Sequence, residues 1–420
     1  MVASTDTKFY VYTNTGAPEL NNQFGCMLSV LDACLINGFG SQTVSTLTAS
    51  GTTVTATFGS AHNFMQYQVI KIAGANQTEF NGEHRILTVP NTNTITFQLA
   101  AAPSVTTATG TISASLPALG WEKPFSSTHA SGTGGKAAYR SSNTLLASRP
   151  FLRVVDELDP AYNQSYAKYA KVGIVEDMTG IDTMLGAQAP FDVNAPDKNW
   201  VATGSSTSVI NGWAKWYYAM GGNENSSTNE TTPAPSGKRE WVIVGNDSYF
   251  YLFARFHTSN SYTGRMFPYF FGPLDADYSQ TSAIIALHNN KQASDSVLPY
   301  GLSALSVEGV DKQISLLSDY KKQSKSVFAK TLPPRSVVRT GYSNYFKPPD
   351  ADVPVFSFRL PIIESDSNVP RGNMPGVYWL GQATPYGNLL AFLDGSEIKL
   401  PIYCMAYELG QMLFDIGDSV

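Results

Sequence analysis

The sequence predicts a mainly β protein, with a β-sandwich or jelly-roll-like body, one or two short helices and an inserted small β-barrel or β-sandwich domain. Two β-prone, aromatic runs, Trp241–Val244 and Tyr249–Phe256, flank the turn-forming residues Gly245–Ser248. Residues 43–115 contain short alternating runs separated by turn signals. Charged residues make up 15% of the 420 residues, below the roughly 25% of typical soluble domains. Surface polarity must therefore come from Ser, Thr, Asn and Gly.

The aromatic runs at 241–244 and 249–256 predict a β-hairpin at the centre of the body. Both arms are apolar at nearly every position rather than at alternate ones. Such a pattern indicates that both faces are covered. We expect the chain's own core on one face and further protein on the other.

The N-terminal part of the body, residues 1–42, contains the clearest helix, predicted over residues 22–37. Asn21 and Asn22 precede it, and Asn37 and Gly38 supply its end. Its apolar residues recur at helical spacing: Phe24, Met27, Leu28, Leu31, Cys34 and Leu35. We expect this face to pack in the core rather than to mediate oligomerisation.

Residues 43–115 predict the inserted small β-domain. Strands are expected at Val54–Phe58, Gln68–Ile72, Arg85–Val89, Thr94–Leu99 and Gly110–Ser115. The GFG at 38–40 and the LGW at 119–121 read as the two sides of one junction, as expected for a domain inserted at a surface loop. We expect this domain to project from the body.

The body resumes over residues 116–288, and residues 289–420 form a C-terminal β-rich region that either continues the body or folds separately. Strands are predicted at Pro150–Val155, Ala170–Val175, Ala283–Leu287, Val353–Leu360, Gly376–Leu380 and Ile398–Tyr407. The polar segment Gly221–Gly237 predicts a long exposed loop.

Charge and hydropathy exclude several classes of partner. The net charge of −5 offers no bulk electrostatic reason to bind nucleic acid. The first residues lack a secretory signal, and no run approaches the roughly 18 apolar residues of a membrane helix. We therefore expect a soluble product of a cytoplasm. Cys26, Cys34 and Cys404 are expected to be buried thiols, because no CxxC pair or nearby His favours metal ligation.

Enzyme signatures are absent from the sequence. Gly132–Lys136 resembles a phosphate loop, but the first Gly of that pattern falls at Ala130 and the residue after the Lys is Ala137. Neither H-E-x-x-H nor G-x-S-x-G occurs. The five histidines are isolated in sequence, and we expect structural or surface roles for His62, His84, His129, His257 and His288. The prediction is a non-enzymatic protein with no catalytic, cofactor-binding or metal-binding residues.

Acidic and aromatic groups leave weaker alternatives. Four acidic groups could ligate calcium or cleave a glycosidic bond: Asp156, Glu157 and Asp159; Asp275 and Asp277; Asp350 and Asp352; Asp415 and Asp418. None fits the calcium-loop pattern, and we expect solvated side chains. Lys215–Tyr218 and Tyr345–Lys347 could stack on sugars or bases, but core or subunit-interface roles are favoured.

Several ordered motifs together resemble a family of tailed-bacteriophage virion structural proteins. They are GAPELNNQFGCMLSVLDACLINGFG, LGWEKPFSSTHASGTGGKAAYRS, FLRVVDEL and REWVIVGNDSYFYLF, together with the insertion AHNFMQYQVIKIAGANQTEFNGEHRILTV. The likeness covers roughly residues 10 to 285. The chain has VVDEL where the family usually has an acidic pair, and GNDSYFY where it usually has an Arg. Members are mostly tail or minor structural proteins, so the resemblance implies no catalytic residues.

The resulting hypothesis is a structural component of a tailed-bacteriophage virion, synthesised in the bacterial host cytoplasm and located in the virion. The expected position is the tail, at its baseplate, neck or tip, as a symmetric homo-oligomer in contact with other virion proteins. No nucleic acid, membrane or cofactor is expected. The alternatives are a host-surface polysaccharide or receptor-binding protein, and a capsid decoration or head-fibre protein.

Overall fold

The computed structural model describes residues 2–202, 212–221, 232–258, 266–276, 281–288, 314–318, 325–331, 339–340, 344–345, 355–364, 369–381, 384–405 and 409–419. The strands in chain order are β1 (Lys8–Val11), β2 (Phe39–Ser50), β3 (Thr53–Phe58), β4 (Val69–Ala75), β5 (Gly82–Asn91), β6 (Thr94–Gln98), β7 (Gly110–Leu116), β8 (Glu122–Thr128), β9 (Gly135–Arg140), β10 (Phe151–Asp156), β11 (Lys168–Gly180), β12 (Thr183–Ala189), β13 (Ala214–Ala219), β14 (Trp241–Gly245), β15 (Phe250–Ala254), β16 (Phe267–Pro273), β17 (Thr281–Ile285), β18 (Leu287–His288), β19 (Ile314–Ser318), β20 (Lys325–Thr331), β21 (Arg339–Thr340), β22 (Asn344–Tyr345), β23 (Ser357–Glu364), β24 (Pro370–Leu380), β25 (Phe392–Asp394), β26 (Glu397–Met405) and β27 (Leu409–Asp418). The predicted mainly β fold class is confirmed.

Twelve strands form the largest sheet, in the order β1-β14-β15-β16-β17-β19-β20-β23-β24-β27-β26-β25. The sheet folds over itself. The ring of Phe414 on β27 lies 4.9 Å from that of Tyr251 and 5.7 Å from that of Phe253 on β15. A hydrophobic core therefore fills the space between the β1–β17 half and the β23–β27 half.

The predicted hairpin is β14–β15, paired in the register Trp241↔Ala254 to Gly245↔Phe250. Its residues alternate between two cores. Ile243 and Leu252 enter one, while Val242 and Phe253 enter the core inside the folded sheet. Both faces are thus covered, and this chain itself supplies the protein on each side.

The second sheet has the order β18-β13-β11-β10-β9-β8, with β12 paired to β11. It packs on the β14–β17 part of the first sheet. Trp216 of β13 stacks on Tyr269 of β16 at 5.7 Å and donates its indole N–H to the Ile285 carbonyl at 2.9 Å. The Tyr269 hydroxyl donates to the Tyr217 carbonyl at 3.0 Å. The two sheets form a β-sandwich.

One α-helix, α1 (Cys26–Leu31), continues as a π-helix over Asp32–Asn37. A 3₁₀ turn lies at Thr78–Phe80. The helix ends where the sequence predicts but begins later, because Gly25 has φ 92° and lies outside the helical region. The predicted core role is confirmed, because the buried side chains of this segment are Cys26, Met27, Val30, Leu31, Cys34 and Leu35.

The inserted domain is a closed barrel with the strand order β2-β3-β6-β5-β4-β7. Alternate residues such as Val54, Ala56, Ile95 and Phe97 are fully buried inside it. The five predicted strands are present. The barrel also contains β2, which sequence alternation did not indicate, since its register shifts between Val44 and Thr46.

The barrel is anchored to the body by the buried Arg85 of β5. Its guanidinium donates hydrogen bonds to four backbone carbonyls, those of Ser4 (2.5 Å), Tyr67 (2.7 Å), Thr7 (2.9 Å) and Ile416 (2.8 Å). Lys8 of β1 adds an ion pair with Glu83 at 3.1 Å. One side of the barrel is therefore joined to β1 and β27, which are the first and the last strand of the large sheet in chain order.

Candidate functional site: a joint built by dispersed motifs

The motifs GAPEL, GFG, LGWEK, YRS, VVDEL and GND lie far apart in sequence but meet around α1. We call this region the motif joint and define it by Gly16, Gly25, Asp32, Gly40, Leu119–Lys123, Tyr139–Ser141, Asp156 and Asn246–Asp247. Each motif contacts the helical segment or another motif, as the following distances show.

Leu119–Trp121 satisfy the C-terminal end of the helical segment. The N–H of Leu119 donates to the Cys34 carbonyl at 2.8 Å, and those of Gly120 and Trp121 donate to the Leu35 carbonyl at 3.1 and 2.9 Å. Carbonyls at a helix end have no partner within the helix. The chain leaving the barrel therefore caps the helix that leads into it.

Asp156 caps the other end of the helix from β10. One carboxylate oxygen accepts the N–H groups of Gly25 (2.8 Å), Met27 (3.1 Å) and Leu28 (3.4 Å). The other accepts the Tyr218 hydroxyl at 2.6 Å. Burial raises the pKa of Asp156 to about 6, although these hydrogen bonds oppose the rise. The expectation of a solvated side chain is wrong for Asp156, which is fully buried.

Asp32 connects the helical segment to the second sheet, and Glu122 adds an ion pair within that sheet. Asp32 accepts hydrogen bonds from Lys123 at 2.7 Å and from the Tyr139 hydroxyl at 2.8 Å. Glu122 of the edge strand β8 pairs with Arg140 of β9 at 2.7 Å. These contacts fix β8 and β9 against the helix.

The turn between β14 and β15 receives contacts from two motifs. Trp121 donates its indole N–H to the Asn246 carbonyl at 2.7 Å and packs edge-on against Phe250. Ser141 donates its hydroxyl to the Asp247 carbonyl at 2.7 Å. The joint thereby connects the helix, both sheets and the entrance of the barrel.

Glycines in the joint allow backbones to touch. A Cβ on Gly40 would lie 2.4 Å from the Thr15 carbonyl oxygen, and one on Gly16 would lie 3.2 Å from Gly40 Cα. In the Gly132–Lys136 segment, a Cβ on Gly134 would lie 2.2 Å from the Asp156 carbonyl oxygen. Lys136 pairs with Asp182 at 2.8 Å. The phosphate-loop-like residues thus serve close packing beneath the start of α1.

Three of the remaining acidic candidates pair with a basic side chain. Asp159 is buried and pairs with Lys171 at 3.2 Å, so the expected solvation is wrong there too. Asp275 pairs with Arg359 across two strands. Asp415 lies 3.6 Å from Lys399. Glu157 is half-buried and Asp418 is exposed; Asp277, Asp350 and Asp352 lie outside the described residues.

The four histidines with described side chains each have different neighbours. His62 and His84 are buried beside Phe64 and Phe97, and burial lowers the pKa of each. Burial, with Arg255 and Arg239 nearby, lowers the pKa of His257 to about 4. His129 contacts Ser131 in the turn after β8. The side chain of His288 lies outside the described residues.

The Lys215–Tyr218 cluster belongs to the core of the sandwich. Trp216 and Tyr218 are fully buried, and Tyr217 packs edge-on against Tyr169 at 4.9 Å. Phe346 and Lys347 lie outside the described residues, as does the side chain of Tyr345. All three cysteines are buried free thiols, as predicted. Burial, followed by the charge of Asp156, raises the pKa of Cys26 to about 12.

Within the described residues, no group of three or more His, Cys, Asp or Glu side chains could hold a metal ion. No helix in that part of the chain is long and apolar enough to cross a membrane. No protein-family model and no curated protein sequence matches the chain.

The contacts of the motif joint hold the helix and both sheets together. The Asp156 carboxylate and the Tyr218 hydroxyl are both fully buried, and their hydrogen bonds go to parts of the same chain. Sequence reasoning placed Tyr218 in a cluster with a favoured core or interface role but did not find its bond to Asp156. It missed the roles of Arg85 and Lys171, since no local pattern distinguishes them from exposed polar residues. Their one sequence signal is a polar side chain within or beside a β-prone apolar run.

Proposed function

We propose that this chain is a non-enzymatic structural component of a tailed-bacteriophage virion, associated with the tail at its baseplate, neck or tip, and that it acts through contacts between subunits. The observation that carries the proposal is the motif joint. The motifs that resemble the virion family are the ones whose residues hold the helix, the entrance of the barrel and both sheets together. A resemblance in such residues favours a shared fold rather than a shared reaction.

Exposed apolar side chains support a role in assembly. Leu145 is 92% exposed, Val193 77% and Leu390 67%. Leu145 lies on a loop whose base is tied down by the bond from Asn143 to Ser248 at 2.9 Å. Covering an exposed apolar side chain on such a loop with a neighbouring subunit would remove apolar surface from water and stabilise the contact. With only 15% charged residues, such contacts would depend little on salt.

The first test is the mass of the purified chain by light scattering at low and high salt. We expect a stable homo-oligomer whose mass does not change with salt. Phage particles are then labelled with an antibody against residues 43–115 and viewed by electron microscopy. Label on the tail supports the proposal. Label on the head would favour a capsid decoration protein, and a monomer that labels no particle would contradict the structural role altogether.

A further inference from the structure

The barrel carries its charges on one side only. Within residues 39–116 the charged residues are Lys71, Glu79, Glu83 and Arg85, and no charged residue occurs in residues 33–70 or 86–121. Lys71 lies on β4, whereas Glu83 and Arg85 lie on β5. Strands β2, β3 and β6 therefore contain no charged residue at all.

The outward face of β2, β3 and β6 is a regular array of threonines, which we call the threonine face. The strand register aligns Thr48 with Thr55 and Thr55 with Thr96, and it aligns Thr46 with Thr57 and Thr57 with Thr94. The intervening residues are the buried ones that fill the barrel. Adjacent strands lie about 4.8 Å apart, and successive rows on one face lie about 7 Å apart.

The barrel holds the threonine face away from the body. In the closed order β2-β3-β6-β5-β4-β7, strand β3 lies opposite β4 and strand β2 lies opposite β5. Arg85 and Glu83, which tie the barrel to the body, are both on β5. Three of the four hydrogen bonds from the buried Arg85, those to Ser4, Thr7 and Ile416, reach the body and fix the direction in which the opposite side of the barrel faces.

The composition of this face selects among partners. It has no Lys or Arg to attract nucleic acid or an acidic glycan. It also lacks the Trp, Tyr, Met and Arg side chains that anchor protein interfaces. Threonine hydroxyls both donate and accept hydrogen bonds, as sugar hydroxyls do, and each has a methyl group beside it that can contact sugar C–H groups.

We propose that the threonine face binds a neutral polysaccharide. The face is an array of similar groups rather than a pocket, so it suits an extended chain that makes many weak contacts rather than a single sugar. Several copies in an oligomer would multiply this weak affinity. The proposal goes beyond the assembly role and does not depend on it, because binding is measured on the isolated chain.

Affinity electrophoresis of the full chain tests the proposal, with native gels that contain dextran, galactomannan, laminarin or the acidic polysaccharide alginate. We expect at least one neutral polysaccharide to retard the chain, with no dependence on salt. The variant T55K/T96K should lose this retardation, because two charges would enter the paired centre of the face. The variant T55V/T96V should weaken binding about tenfold through the loss of two hydroxyls.

The matched control is Thr111→Lys, an exposed threonine on β7 outside the threonine face. It should bind as the unmodified chain does. Thermal unfolding checks that each variant is folded. If T55K/T96K is not folded, the binding of T55V/T96V is the deciding measurement. Retardation by none of the neutral polysaccharides, retardation by alginate alone, or equal loss in Thr111→Lys and T55K/T96K would overturn the proposal.

Discussion

Asp156 shows how one buried side chain joins distant parts of this chain. Its carboxylate accepts three backbone N–H groups at the start of α1 and the Tyr218 hydroxyl. Those bonds favour the ionised form, whereas complete burial favours the neutral form. Burial prevails, because the pKa rises from 3.8 to about 6.

This raised pKa predicts a pH dependence of stability. A folded-state pKa above the unfolded value means that the folded protein binds the proton more tightly. The stabilising contribution of Asp156 is therefore complete below about pH 4 and is lost as the pH rises to about 6. Relative to Asp156→Asn, the unmodified chain should lose about 3 kcal/mol over this range. Urea unfolding followed by tryptophan fluorescence measures this, since the barrel contains no Trp.

Asp182 provides a control of opposite sign. Burial raises its pKa, but Lys136 and Arg153 outweigh burial and lower the pKa below its usual value. The stability lost in Asp182→Asn should therefore be largest at neutral pH and should shrink as the pH falls through that lowered pKa. If the stability difference between the unmodified chain and Asp156→Asn instead grows in favour of the unmodified chain as the pH rises, the hydrogen bonds from the helix N–H groups outweigh burial; a difference that does not vary with pH would mean that the two effects cancel.

At the scale of elements, the turn between β8 and β9 is shaped by its contact with α1. Gly132 and Gly134 have similar positive φ angles, 76° and 78°. A Cβ on Gly132 would meet nothing within 4 Å, whereas one on Gly134 would lie 2.2 Å from the Asp156 carbonyl oxygen. Substitutions at the two glycines therefore share the cost of the left-handed backbone conformation, and only a substitution at Gly134 adds a steric clash.

Gly134→Ala should destabilise the body more than Gly132→Ala. Gly132→Ala introduces only the left-handed conformation, at about 1 kcal/mol. Gly134→Ala adds a clash with the backbone of β10 and should lower the free energy of unfolding by about 3 kcal/mol in total. The midpoints of urea unfolding compare the two variants. Equal midpoints would mean that the turn moves away from the end of β10 without cost, and that the motif joint tolerates a gap there.

The period of the apolar residues determined which elements the sequence could predict. Strands β3 to β7 alternate over short runs, and β14 and β15 are continuous apolar runs, so both kinds were recognisable. Strand β2 was not, because the register shift after Val44 interrupts its alternation. The start of α1 was placed too early, since Phe24 continues the helical spacing although Gly25 breaks the helix.

At the scale of the whole molecule, strand pairing beyond the β14–β15 hairpin and the contacts of the motif joint were not predictable from sequence. Strand β1 pairs with β14 through Phe9↔Val244, and Asp156 reaches Gly25 across 131 positions. No local pattern specifies such partners, because they follow from how complete sheets pack. Sequence motifs did identify the segments that meet, but not that they cap the two ends of one helix.

Arg85 connects the barrel to the body through three backbone carbonyls, so its removal should separate the stability of the two parts. Arg85→Met leaves the carbonyls of Ser4, Tyr67, Thr7 and Ile416 without their donor. Each unsatisfied buried group costs about 1 kcal/mol or more. Hydrogen exchange should therefore increase about 100-fold or more in Thr7–Val11 and around Ile416.

Amides inside the barrel, such as those of Val54 and Phe97, should keep their protection in the same variant, because a closed barrel has its own core and no free edge. Lys71→Met is the matched control, since it removes an exposed charge from β4 and should leave exchange in Thr7–Val11 unchanged. Loss of protection throughout the barrel in Arg85→Met would instead show that the barrel folds only on the body. The barrel would then be part of one cooperative unit, and the direction of the threonine face would be set by folding itself.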